Sequence, residues 1–119
     1  MKRFAFGVGA VMLAAMPAVA FEQADLDRLT STNACEGCDL SGALLGYDEL
    51  PGARLAGANL DGAFIRFTTL DGADLTDATL VDALFLQSSA RGTLFLRADM
   101  TRAGLSESSL PEADFTGAV

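Results

Sequence analysis

The chain has 119 residues, half of them hydrophobic, with sixteen acidic residues against eight basic ones and no histidine. This length suits one small domain, and the acidic balance disfavours binding nucleic acid through its phosphates. Without His the commonest general base is missing, and the Asp and Glu residues are spread along the chain rather than paired, so no catalytic residue, cofactor or metal is expected.

Residues 1–20 read as a signal peptide. Lys2 and Arg3 form a positive start, Phe4 to Met16 is apolar apart from Gly, Pro17 breaks it, and Ala18-Val19-Ala20 supplies the small residues of a cleavage site. The apolar stretch is shorter than the ~20 residues of a spanning helix. Cleavage before Phe21 leaves six basic against sixteen acidic residues and no second run long enough to span a bilayer. The mature protein is therefore expected to be periplasmic or secreted, with no membrane span.

Residues 21–34 form a capping segment. Phe21, Leu26 and Leu29, with Ala24, share one side of a short amphipathic helix that would cover an apolar end of the domain. Cys35 and Cys38 come next, and three readings compete: a structural disulfide, a redox pair and half a zinc site. Zinc wants four ligands, and the chain holds no other Cys and no His. A redox pair opens a helix that depresses the thiolate pKa, whereas Gly37-Cys38-Asp39-Leu40 runs into the repeats beside acids. Export favours the disulfide.

From Leu40 onward the chain has a period of five. The positions Leu40, Leu45, Leu50, Leu55, Leu60, Ile65, Leu70, Leu75, Leu80, Phe85, Ala90, Phe95, Met100, Leu105, Leu110 and Phe115 are large and apolar with one exception, Ala90. Two residues before each is a small residue, again with one exception, Asp48. Five matches neither the 3.6 of a helix nor the 2 of a flat strand. Small and large residues two apart point the same way on an extended stretch, and the remaining two residues turn a corner. Gly42, Gly52, Gly57, Gly62, Gly72, Gly92 and Gly117 fall at that turn, where a positive φ costs Gly nothing. A unit this short cannot bury its Leu alone, so coils must stack.

The units Ala58-Asn59-Leu60-Asp61-Gly62, Ala73-Asp74-Leu75-Thr76-Asp77 and Ala98-Asp99-Met100-Thr101-Arg102 resemble the A-(D/N)-L-x-x motif of pentapeptide-repeat proteins. The resemblance covers about Cys38 to Ala118. It implies an all-β fold over residues 35–119: a right-handed quadrilateral β-helix of about four coils, closed at its N-terminus by the capping helix. It also adds that cysteine pairs ahead of the first repeat recur among exported members.

Four units per coil put residues twenty apart on one face. Leu44, Phe64 and Leu84 then form an outward apolar column, Tyr47 and Phe67 stack at the adjoining corner, and Leu86 lies beside Leu84. Asp48, Thr68, Ser88 and Ser108 form the one polar inward column, whose hydroxyls should bond along the stack while Asp48 either joins them or tilts outward. Ala90 should leave the bore underfilled. Leu75 and Leu80 should reject Asp, while outward Asp74 and Thr79 should tolerate replacement.

The expected function is that of a non-catalytic exported binding or scaffold protein, presenting this surface to a protein partner of the cell envelope. Candidate interface residues are Leu44, Tyr47, Phe64, Phe67, Leu84, Leu86 and Phe115. The uncapped last coil, with Phe115 at its end, suits a homodimer through the C-terminal coil; the competing outcome is a monomer whose last three residues fold over that end. The resemblance also raises an alternative, a DNA mimic that inhibits or protects a type II topoisomerase. Export and the arginines Arg54, Arg66, Arg91, Arg97 and Arg102 on the acidic faces weigh against it.

Overall fold

The computed structural model of the protein describes residues 21–119, so the signal-peptide reading of residues 1–20 lies outside it. Helix α1, Gln23–Thr32, comes first. It ends where Asn33 turns left-handed at φ 63° and donates its N–H to the Leu29 carbonyl. Leu29 is fully buried, and Phe21 and Leu26 pack against the same core. Ala24 is exposed, so it does not belong to the packed side. Two bonds dock the helix start on the first coil: Glu22 N–H to Asp39 O at 3.0 Å, and Asp39 N–H to Asp25 Oδ2 at 2.8 Å. Beneath the helix Cys35 and Cys38 are joined in a buried disulfide.

The rest of the chain winds as a four-sided β-helix. One face carries four three-residue strands, β1 Leu44–Gly46, β2 Phe64–Arg66, β3 Leu84–Leu86 and β4 Gly104–Ser106, in a parallel sheet of sequential order. Its register sets Leu44 beside Phe64, Phe64 beside Leu84 and Leu84 beside Gly104, a constant step of twenty residues. The other three faces hold single parallel bridges at the same step, such as Asp39 to Asn59, Glu49 to Thr69 and Arg54 to Asp74. Each coil donates to the next through bonds such as Leu40 N–H to Asn59 O at 2.7 Å and Leu55 N–H to Asp74 O at 2.8 Å.

The central residues from Leu40 to Phe95 fill the bore together with Ala43, Ala53, Ala58, Ala63, Ala73, Ala78, Ala83 and Ala98. Beside Ala90, where the bore was expected to be underfilled, Phe85 and Phe95 on the faces either side meet edge to face at 6.4 Å. In the last coil Met100, Leu105 and Leu110 are only half-buried, and Phe115 stays 39 % exposed with its ring stacked on Phe95. Val119 continues the ladder, donating to Ala98 O at 3.0 Å and accepting from Met100 N–H at 3.1 Å. The final residues therefore leave the end open rather than folding over it.

The acid or amide before a central residue has a local task. Asp39, Asn59, Asp74, Asp99 and Asp114 each accept the backbone N–H two residues ahead, Asp74 from Thr76 at 3.0 Å. Asp74 is thus a turn-capping acceptor and not a free outward side chain, and Thr79 likewise donates to Asn59 Oδ1 at 3.2 Å. Hydroxyls of Ser41, Thr101 and Thr116, and then their N–H groups, hold Asp39, Asp99 and Asp114 below the usual carboxylate range.

Candidate functional site

The corner that follows the strands is built unlike the other three. Elsewhere the left-handed turn position is mostly Gly, as at Gly42 and Gly62, at Gly52, Gly72 and Gly92, and at Gly57 and Gly117. Here it is Tyr47, Phe67, Gln87 and Glu107, at φ 61°, 51°, 49° and 54°. A left-handed conformation costs a residue with a Cβ roughly 1–2 kcal/mol. No coil relieves that strain with a Gly, so four large side chains are held outward at one edge.

In the first three coils the turn itself is open, whereas in the last Ser108 N–H reaches Leu105 O at 3.5 Å. At the other corners the N–H of the next small residue closes onto the central carbonyl, as in Ala43 to Leu40 at 3.0 Å and Ala73 to Leu70 at 3.0 Å. At this corner Thr68 N–H goes instead to Ser88 Oγ, and Ser88 N–H to Ser108 Oγ, both at 3.2 Å. The hydroxyls pass their own protons to carbonyls, Thr68 to Arg66 O at 3.0 Å and Ser88 toward Ile65 O at 3.3 Å. The polar inward column is therefore the closure of an open turn. Its hydroxyl protons are spent on backbone, and among the described residues none reaches the Asp48 carboxylate, which is half-buried at the start of the column.

On the sheet face Leu44 and Leu84 are 55 % and 52 % exposed, and Phe64 between them is half-buried. Tyr47 and Phe67 stack at 4.9 Å with planes 14° apart, and Leu86 lies half-buried one rung beyond Arg66. The column stops at Gly104, where a Cβ would come within 3.0 Å of Leu84 Cδ2. Six of the seven candidate interface residues are thus one surface. Phe115 is not part of it, because its ring lies over the bore at the C-terminal end. Beside the corner an open groove of about 460 Å³ runs past Phe67, Thr69, Gln87, Ser89, Glu107 and Ser109.

Arg66, Gln87 and Glu107 belong to this surface although hydrophobicity does not single them out. The signal for the last two was the Gly-free turn column. Arg66 lies amid the apolar side chains, its guanidinium carbon 5.6 Å from the Phe64 ring centroid. Three of the other arginines bind acids: Arg54 holds Glu36 at 2.8 Å, Arg97 holds Asp77 at 2.9 Å and Arg102 holds Asp82 at 2.7 Å. Bonds from Arg97 and Arg102 keep Asp77 and Asp82 below the ordinary carboxylate range. Among the described residues there is no cluster suited to a metal ion, and no helix long and apolar enough to cross a membrane.

A family model described as pentapeptide repeats, in eight copies, matches residues 35–77, 49–85 and 78–117. The chain belongs to the pentapeptide-repeat family. The right-handed quadrilateral β-helix implied by the motif is its fold. A pentapeptide-repeat protein from the Arabidopsis thaliana thylakoid lumen is 28 % identical at a TM-score of 0.64, with 70 % of this chain matched. The match spans 61 % of that protein, less than two-thirds of its length. HetL of the cyanobacterium Nostoc, involved in heterocyst differentiation regulation, is 27 % identical at a TM-score of 0.46, over 71 % of this chain and 46 % of its own. A pentapeptide-repeat protein from the cyanobacterium Cyanothece is 20 % identical at a TM-score of 0.43, over 82 % and 97 %. No curated protein matches the chain.

Proposed function

We propose that this pentapeptide-repeat chain is a non-catalytic, exported binding protein whose β1–β4 face receives a protein partner of the cell envelope. The observation that carries the reading is the exposed Leu44, Phe64 and Leu84 column bordered by Tyr47 and Phe67, whose backbone is strained to hold them outward. Contiguous exposed apolar side chains, aromatic above all, mark protein interfaces. Export is supported by the residue pattern of positions 1–20 and by the cysteine pair under the helix. Topoisomerase binding by DNA mimicry is the weaker alternative, because arginine rungs neutralise Asp77 and Asp82 on the acidic faces.

The test is affinity capture from envelope extract with the wild-type mature chain and with Phe64→Glu and Leu84→Glu, each checked for native circular dichroism. Proteins held by wild type should be lost from both variants. Retention of the same proteins by both would refute the assignment of the face.

A further inference from the structure

We propose that the partner received on the β1–β4 face inserts a carboxylate, carried on an otherwise apolar segment, onto the guanidinium of Arg66. The inference rests on the protein-binding reading above and specifies the partner's chemistry.

Arg66 is seated by its neighbours. Gly46, one rung earlier, has no side chain, and a Cβ there would lie 3.4 Å from Arg66 Nε and 3.7 Å from its Cγ. Phe64 offers its ring to the guanidinium at 5.6 Å, and Leu86 occupies the rung beyond. In this seat Nε is enclosed, yet no acceptor bonds it among the described residues. The unmet donor stands out because it is enclosed: Arg54, Arg97 and Arg102 each find a carboxylate, and Arg28 and Arg91, which form no ion pair among the described residues, are exposed. The rung partners explain it: Gly46 stands one rung before Arg66, where Asp77 and Asp82 stand for Arg97 and Arg102, and Leu86 one rung beyond offers no acid either.

The free face therefore holds a cation that is half desolvated and unpaired. A wholly apolar partner would finish the desolvation and leave the charge buried alone, which is strongly unfavourable. A carboxylate arriving with apolar flanks would convert the same burial into charge-assisted bonds from Nη1 and Nη2, the end of the planar fork that stays reachable while Nε is enclosed. The net negative charge of the chain disfavours a polyacidic partner at long range. One acid among apolar residues answers both demands.

Short acetylated and amidated peptides, in which Leu and Phe flank one central Glu, Gln or Lys, serve as probes in isothermal titration of the folded chain. Wild type should bind the Glu peptide about tenfold more tightly than the Gln peptide, and the Lys peptide least. Arg66→Gln should bring the Glu-to-Gln ratio to about one while the Gln peptide keeps its affinity. Arg66→Lys should fall between, keeping the charge without the fork. Equal binding of Glu and Gln peptides by wild type, or a Glu preference that survives in Arg66→Gln, overturns this inference and leaves the apolar interface standing. Failure of all three peptides to bind sinks both.

Discussion

Ser88→Ala is the sharpest test of the open corner. The substitution removes the acceptor of the Thr68 N–H, which lies 3.2 Å from Ser88 Oγ on a residue only 1 % exposed. No turn carbonyl replaces it, because Thr68 does not make the closing backbone bond of the other three corners; at this corner it is Ser108, in the last coil, that closes onto Leu105 O, at 3.5 Å. The lost hydroxyl also donates toward Ile65 O. A buried donor left unsatisfied costs about 1–3 kcal/mol. For a domain of this size each kcal/mol shifts the melting temperature by about 4–8 °C, so a fall of at least about 4 °C is expected. Ser88→Thr keeps the oxygen and should retain most of the stability, as Thr68 does in the coil before. Thr69→Ala, on the outward side of the same rung, should change stability by no more than about 0.5 kcal/mol. Thermal and urea unfolding followed by circular dichroism give all three values. If Ser88→Ala matches Thr69→Ala, the hydroxyl column does not close the turn.

Further outcomes are expected. The carboxylates of Asp39, Asp71, Asp77, Asp82, Asp99 and Asp114 all titrate below their ordinary range when folded, held by Ser, Thr or Arg side-chain bonds first. A depressed folded pKa contributes stability that is present above the unfolded value near pH 4 and lost as pH falls through the folded value, so melting temperature should be level above about pH 5 and drop below pH 4; a drop absent between pH 4 and pH 2 would contradict these bonds. Replacing both Cys35 and Cys38 by Ala should lower stability by roughly 2 kcal/mol, the loop-closure value for so short a loop. Because both sulfurs are buried under α1, labelling after mild reductant should stay slow until that helix is lifted, and rapid labelling of the native protein would refute the cap. The open end showing Met100, Leu105, Leu110 and Phe115 should pair two copies. Sedimentation should then show a dimer lost in Phe115→Arg and kept in Phe64→Glu, and a wild-type monomer would end the idea.

A five-residue period was enough to determine the bore, since alternation between Ala73 and Leu75, or Ala78 and Leu80, follows from local backbone geometry that repeats unit by unit. The same counting placed Leu44, Phe64 and Leu84 in one column, and the amphipathic pattern of Phe21, Leu26 and Leu29 ahead of an open solenoid end gave α1 its covering task. What lies between coils was not legible in this way. Thr79 donates to Asn59 Oδ1, Phe95 stacks on Phe115, and Ser88 serves the N–H of Thr68. Arg66 stays unpaired for want of an acid at Gly46 or Leu86. Each of these depends on a partner whose distance and direction are set only when the chain turns its corners and the coils stack. The period is a property of one unit, whereas hydrogen-bond satisfaction and charge pairing belong to neighbouring units held at close range, and only the tertiary structure decides them.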